Sequence, residues 1–245
     1  MLKKTIAVLA LTLGLAAPSL ADDLTLGVTT TGVPFTFIDT SSQAPTGAMV
    51  DLANAIAEDN GMTAKFELTG FSALIPALTT HKIDLISAGM FASDKRKEVV
   101  DFSTGVYTYG DAMFVSADDA TDYTVEDIKG EAVGAQVGTV FADKLNELGI
   151  FGDVKLYDNL SDIMRDVKLG RIKAGFGDKP IVAYQIAQNP SFGVRLVDGY
   201  KPMSEGTVAL AVAKDNPELL EKVNASLAKL KDSGELEKIF AKYGL

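Results

Sequence analysis

Residues 83–103 read IDLISAGMFASDKRKEVVDFS, and this stretch says most about the architecture of the chain. Its first four residues are mostly apolar and predict a short buried strand. Small residues follow, among them Ala88 and Gly89, where a backbone can approach a bound molecule closely. Arg96 comes next and can clamp a carboxylate with two parallel N–H donors. The stretch therefore predicts a strand that ends at a site for a small anion, with a solvated arginine in a charged surface run as the alternative.

Strand and helix patterns alternate along most of the chain. Residues 24–28 alternate as a strand, residues 48–60 carry a helical apolar face, and Gly61 can end that helix. An acidic stretch at residues 117–123 precedes a second series of strands and helices. This alternation predicts an α/β fold rather than a helical bundle or a β-sandwich.

Several local signals predict where individual elements begin. Ser72 and Thr139 are each placed to cap a helix, and Asn216 with Pro217 is a typical helix start. Residues 172–176 and 207–213 are each predicted to be one strand, and two short helices are predicted to follow residue 216.

The N-terminal 21 residues have the pattern of a cleavable secretory signal. Lys3 and Lys4 precede an apolar run over residues 6–17, and small residues lie at the expected cleavage site. The run is shorter than the roughly 20 residues that a membrane-spanning helix needs. No cysteine follows it for a lipid anchor. We therefore expect export to the periplasm and a mature chain that begins near Asp22.

The composition excludes several function classes. The chain has 33 acidic and 23 basic residues and a formal net charge of −10, which argues against nucleic acid as a partner. It contains no cysteine, so disulfides and thiolate metal sites are impossible, and its single histidine, His81, makes a metal site improbable. No phosphate-binding loop or nucleophile motif is present. We expect neither a cofactor nor a metal.

Several motifs, in order, carry a resemblance that covers residues 24–245. They include VPFTF at residues 33–37, FSALIPAL at residues 71–78, the 83–103 segment, VGT at residues 137–139 and the segment from Gly170 to Asp178. Together they resemble the polar amino-acid family of bacterial periplasmic solute-binding proteins, the ligand-capturing subunits of ABC importers.

The resemblance implies a bilobal periplasmic-binding-protein fold with two doubly wound α/β lobes. The first lobe would comprise residues 24–107 and 206–245, and the second lobe residues 111–203. Two chain segments, near residues 106–110 and 202–205, would form the hinge about which the lobes close on a ligand.

The family resemblance also implies a binding site for a zwitterion. Arg96 and backbone groups would hold the α-carboxylate, and Asp178 would hold the α-ammonium. The start of the helix after Gly138 would add N–H donors at Thr139 and Val140. The backbone at Ala88 and Gly89 would complete the cradle. Asp178 can alternatively cap the helix that begins near Pro180.

Two departures from the family pattern concern specificity. Gly32 stands where many members carry an aromatic residue, and Phe91 stands where they carry a serine or threonine for the ammonium. Phe91, Phe71 and Phe35 resemble the aromatic box of the ectoine-binding branch, in which rings would attract a bulky or delocalised cation. The alternative is that Phe35 and Phe71 belong to the core. Gln136 is a further candidate for contact with the ligand.

These expectations favour a monomeric periplasmic receptor that passes a small zwitterion, a polar amino acid or a derivative such as ectoine, to a membrane permease. We expect no catalytic residues. An alternative is a periplasmic arogenate- or prephenate-type dehydratase on the same fold, which would need a general acid above the leaving group. A third possibility is the sensor domain of a membrane kinase or channel.

Overall fold

The computed structural model describes residues 22–245, so the predicted signal at residues 1–21 lies outside the described residues. The strands, in chain order, are β1 (Asp23–Val28), β2 (Thr31–Gly32), β3 (Thr36–Ile38), β4 (Pro45–Thr46), β5 (Thr63–Leu68), β6 (Leu85–Ile86), β7 (Val100–Phe102), β8 (Tyr107–Ser116), β9 (Ala132–Gln136), β10 (Asp153–Tyr157), β11 (Ala174–Asp178), β12 (Val194–Leu196), β13 (Glu205–Val208) and β14 (Ala211–Ala213). The helices are α1 (Ala48–Asp59), α2 (Leu74–Thr79), α3 (Asp94–Lys97), α4 (Val140–Leu148), α5 (Leu160–Lys168), α6 (Lys179–Gln188), α7 (Pro217–Asp232) and α8 (Glu235–Ala241).

Two sheets form the centres of two lobes. The first sheet has the order β5-β1-β6-β14-β7, with β1 parallel to β5 and β6 and with β14 antiparallel to its neighbours. The second sheet has the order β10-β9-β11-β8-β12, with β9 parallel to β10 and β11. Strand β8 runs antiparallel to β11 and β12. The predicted bilobal α/β fold is thus confirmed.

Each sheet is covered by apolar side chains from helices on both faces. In the first lobe, α1, α7 and α8 pack in one cluster and α2 in another. In the second lobe, α4 contributes to one cluster, while α5 and α6 contribute to another. A parallel sheet requires this cover because both of its faces are apolar. No helix among residues 22–245 combines the length and apolarity needed to cross a bilayer.

The chain passes between the lobes through a two-stranded ribbon. Residues 107–110 of β8 pair antiparallel with β13, and the rest of β8 continues into the second sheet. We call this pair the crossing ribbon. Next to it the buried carboxylate of Asp111 accepts hydrogen bonds from the Tyr200 hydroxyl, at 2.5 Å, and from the backbone N–H of Ser204, at 2.8 Å. Burial raises the pKa of Asp111.

Most of the elements predicted from local signals are present, but four differ. Ser72 does not cap a helix by its side chain, because a 3-10 turn over residues 71–73 leads into α2. The strand predicted at residues 172–176 lies at Ala174–Asp178. The strand predicted at residues 207–213 is divided into β13 and β14, which belong to different sheets. The first of the two predicted short helices, α7, has 16 residues.

Candidate functional site

A cavity lies between the two lobes. The residues that line it come from both lobes: Thr29, Thr31, Gly32, Phe71, Ala88, Gly89, Gln136, Thr139, Phe141, Leu160, Phe176, Gly177, Asp178 and Ile181. Asp178 carries the only charged side chain among these lining residues. The cavity therefore pairs one carboxylate with hydroxyl, amide and aromatic groups.

The end of β6 places Ala88 and Gly89 on the wall of this cavity. Ser87 anchors the segment by donating a 2.7 Å hydrogen bond to the carbonyl oxygen of Met49. Gly89 has a φ of +69°, and a Cβ atom on it would lie 3.3 Å from the ring of Phe35. A side chain at residue 89 would therefore meet both backbone strain and the ring.

Arg96 lies in the short helix α3, which begins after Ser93. Its side chain is 8% exposed. One terminal nitrogen donates to the carbonyl oxygen of Phe91 at 2.8 Å, and the other donates to that of Gly138 at 2.9 Å. The guanidinium also lies 5.5 Å from the centre of the Phe71 ring. Because a guanidinium has five N–H donors, these two bonds leave three available.

Burial lowers the pKa of Arg96, although the charge of Asp178 opposes this shift. Arg96 and Val140 do not line the cavity described above. They line a separate pocket together with Gly138, Lys95 and other residues. The guanidinium is thus close enough to Asp178 for an electrostatic effect, and the ring of Phe71, which lines the cavity, has its centre 5.5 Å from the guanidinium.

Asp178 occupies the last position of β11, directly before α6. It lies at the N-cap position of α6, but its side chain makes no capping hydrogen bond. Its Oδ1 atom instead accepts a hydrogen bond of 2.5 Å from the hydroxyl of Tyr109. Desolvation raises the pKa of Asp178 to about 6, even though the Tyr109 hydrogen bond and the charge of Arg96 lower it. Burial therefore disfavours the ionised form of this carboxyl group, which a nearby cation would stabilise.

Thr139 is the N-cap of α4, as the sequence predicts. Its hydroxyl oxygen accepts from the backbone N–H of Ala142 at 3.2 Å, and the hydroxyl donates to the carbonyl oxygen of Gln136 at 2.7 Å. Gln136 reaches the edge of the cavity, where its side-chain amide donates to the carbonyl oxygen of Asp158 at 2.8 Å. Both residues belong to the second lobe and face the first.

The structure does not bring the three predicted aromatic rings around one space. Phe71 lines the cavity. Phe35 is fully buried beneath Gly89, and Phe91 is 5% exposed and absent from the lining. Phe91 packs with its ring centre 4.6 Å from Tyr109 and 5.8 Å from Phe141. The box is therefore not assembled in this conformation, because two of its rings pack inside the protein.

Gly32 does lie on the cavity wall. A Cβ atom there would be 3.1 Å from the hydroxyl oxygen of Thr29, a tight contact that a small shift of the neighbouring side chain would have to relieve. The roles that the sequence analysis assigns to individual residues in ligand binding stay predictions.

Sequence reasoning missed two aromatic residues of this region, Tyr109 and Phe141. Tyr109 lies in the crossing ribbon, and Phe141 lies in the first turn of α4, two residues after Thr139. Two signals in the sequence were available: the alternation of Tyr107 and Tyr109, and the closeness of Phe141 to the VGT motif. Neither signal says which ring meets Asp178 or Phe91, because those contacts join distant parts of the chain.

Comparisons with known proteins agree with this geometry. The model of a family described as bacterial extracellular solute-binding proteins, family 3, matches residues 24–245. The ABC transporter arginine-binding protein 1 of Escherichia coli (strain K12) is 32% identical over 222 residues, which cover 90% of this chain and 90% of that protein.

Two solved structures have the same architecture. An ancestral arginine-binding protein bound to arginine superposes with a TM-score of 0.84 at 34% identity, covering 91% of this chain and 98% of the other. An ancestral amino acid-binding protein described as a precursor of cyclohexadienyl dehydratase superposes with a TM-score of 0.79 at 30% identity, covering 90% and 95% of the two chains. These similarities support the fold described above.

Proposed function

Because the chain belongs to family 3 of the bacterial extracellular solute-binding proteins, we propose that it captures a small zwitterion between its lobes and delivers it to an ABC-transporter permease. Its relatives include an ABC transporter arginine-binding protein, an arginine-binding extracellular protein and an L-cystine-binding protein. The ligand proposed here is an amino acid or an amino-acid derivative. We further propose that the mature protein is a periplasmic monomer, exported by the signal at residues 1–21.

The arrangement of two opposite charges carries this proposal. Arg96 extends from the first lobe and Asp178 from the second, and each influences the pKa of the other. The three unused N–H donors of Arg96 suit a carboxylate, and the desolvated Asp178 carboxyl suits a cation. A zwitterion supplies both partners at once, whereas a ligand with a single charge would leave one buried group without compensation.

The experiment is a binding screen with protein stripped of bound ligand by unfolding in guanidinium and refolding. Thermal-shift assays against amino acids, opines and compatible solutes would identify candidates, and calorimetry would measure their affinities. Arg96→Lys and Asp178→Asn should abolish the shift. The matched control changes are Arg165→Lys and Asp94→Asn, whose side chains are exposed on the surface and should leave it unaltered.

A dehydratase is the second candidate, because a carboxyl with a pKa of about 6 can act as a general acid near neutral pH. Among the described residues that line the cavity, however, Asp178 is the only carboxyl, and Tyr109 already donates to it. We therefore propose binding without catalysis. Incubation with arogenate and prephenate, followed by chromatographic analysis for phenylalanine and phenylpyruvate, should show no turnover above the buffer rate.

A further inference from the structure

Tyr109 lies at the junction of the two lobes, in the crossing ribbon opposite Gly206. Its ring stacks on Phe35 with centres 5.5 Å apart and tilts against Phe91 with centres 4.6 Å apart. This packing fixes the direction of the phenol. The hydroxyl group therefore has a defined position rather than a range of rotamers.

The hydroxyl of Tyr109 meets one acceptor from each lobe. It is 2.5 Å from Oδ1 of Asp178, in the second lobe, and 3.3 Å from the carbonyl oxygen of Gly89, in the first. A phenol has one proton, so the shorter contact to Asp178 is the stronger hydrogen bond. Burial and the neighbouring carboxylate raise the pKa of Tyr109 and keep this proton in place.

Both acceptors lie on residues of the cavity wall and could also accept hydrogen bonds from a primary ammonium. An ammonium group with three N–H bonds donates up to three hydrogen bonds. Position 91 offers no side-chain acceptor, and the carbonyl oxygen of Phe91 already accepts from Arg96 at 2.8 Å. A primary ammonium that approaches Oδ1 of Asp178 or the carbonyl oxygen of Gly89 would therefore compete with the Tyr109 hydroxyl, whereas a cation without N–H donors would not.

We propose that Tyr109 determines specificity: its hydroxyl lies between Oδ1 of Asp178 and the carbonyl oxygen of Gly89 and competes there with a primary ammonium, so the site favours zwitterions whose cation has few or no N–H donors. Such cations are N-methylated, tertiary or quaternary. They need charge compensation from the Asp178 carboxylate and contact with aromatic faces, but not three hydrogen bonds. This inference rests on the proposed function, since it takes Asp178 as the partner of the ligand's cation.

The test compares Tyr109→Phe with the wild type, using calorimetry and two matched pairs of probes. The pairs are L-alanine and L-arginine, each beside its Nα-trimethyl form. In the wild type the trimethyl probes should bind more tightly than the primary amines. In Tyr109→Phe the primary amines should gain about tenfold in affinity, while the trimethyl probes should change by less than about threefold.

Tyr107→Phe is the matched control, because Tyr107 lies on the same strand and stacks on Phe240 with centres 5.4 Å apart. Losing its hydroxyl should leave the preference for trimethyl probes unchanged. An equal loss of affinity for both members of each pair in Tyr109→Phe, or an unaltered preference, would overturn the inference while leaving zwitterion binding established.

A second readout needs no ligand. Carbon-13 NMR titration of the Asp178 carboxyl should show a higher pKa in Tyr109→Phe than in the wild type, because the carboxylate loses a donor. An unchanged titration would overturn the inference whatever the binding data show. If the folded wild type binds none of the zwitterions in the wider screen, the proposed function fails, and the titration separately decides whether Tyr109 holds Asp178.

Discussion

The guanidinium of Arg96 donates a hydrogen bond of 2.9 Å to the carbonyl oxygen of Gly138 and so joins the first lobe to the second. The neighbouring Lys95 forms a 2.7 Å ion pair with Asp143 across the same gap, although both side chains are largely exposed. Exposed pairs contribute little, so the buried arginine is the more important link. Arg96 thus serves both the proposed carboxylate site and the contact between lobes.

Arg96→Ala is expected to abolish measurable ligand binding. Removing one partner of a buried ion pair costs roughly 3 to 5 kcal/mol, which corresponds to about two to three and a half decades in affinity. Calorimetry measures the loss, and circular dichroism checks that the variant is folded. Arg165→Ala, on the exposed face of α5, is the matched control. Wild-type affinity in Arg96→Ala would remove this residue from the site.

Ligand affinity is expected to fall as the pH is lowered through 6. The ligand-free pKa of Asp178 is about 6, and the charged and titratable groups that shift it are Tyr109, Arg96 and Asp111. A cation binds the ionised carboxyl, so protonation competes with binding and reduces the affinity about tenfold between pH 7 and pH 5. Calorimetry across this range is the measurement, and an affinity constant over the whole range would contradict the assignment.

The same carboxyl should lower the stability of the ligand-free protein at neutral pH. Its folded pKa of about 6 lies above the ordinary value of 3.8. Between these values the folded state binds more protons than the unfolded state, so this group's contribution to the free energy of unfolding falls as the pH rises. The increase in melting temperature that Asp178→Asn gives over the wild type should therefore be larger at pH 7 than at pH 4. A gain that is equal at both pH values would argue against this linkage.

Phe91→Thr is expected to weaken the natural ligand and to improve binding of ordinary α-amino acids. A threonine hydroxyl can accept a hydrogen bond from a primary ammonium, which a phenyl ring cannot. The change should also cost about 3 to 5 kcal/mol of stability, the range typical of a buried Phe→Ala change, because the ring packs against Tyr109, Phe141 and the backbone of Gly206. Phe91→Leu, which keeps the apolar volume, separates these two effects. Tight binding of an unmodified amino acid, equal in wild type and Phe91→Thr, would exclude a role for Phe91 in selection.

Ligand is expected to compact the protein by rotation about the crossing ribbon. The two antiparallel segments of the ribbon are the chain's passages between the two sheets, so a rotation of one lobe against the other would be centred there. Small-angle X-ray scattering of stripped and saturated protein should show a smaller radius of gyration with ligand. The free protein must first be shown to be open, and calorimetry must show that the second sample is saturated with ligand. If the two scattering curves then coincide, closure about this ribbon does not occur.

Local signals in the sequence predicted much of the fold correctly. The caps at Thr139 and Asn216 lie where they were expected, since a side-chain oxygen meets a backbone N–H only three residues away. The strand at residues 207–213 was divided between two sheets, because its pairing depends on partners about 100 residues distant. Apolar alternation indicates a strand but does not identify its neighbour.

The sequence by itself determined the α/β architecture, and the ligand-binding roles that the family resemblance gives Arg96 and Asp178 stay predictions. Only the tertiary structure decided how the aromatic residues are used: Phe71 lines the cavity, while Phe35 and Phe91 pack inside. It also brought Tyr109 to Asp178, 69 residues along the chain. Burial of an aromatic ring is favourable in any apolar surrounding, so composition cannot distinguish these positions. A hydrogen bond depends on direction and distance, which the packed lobes alone provide.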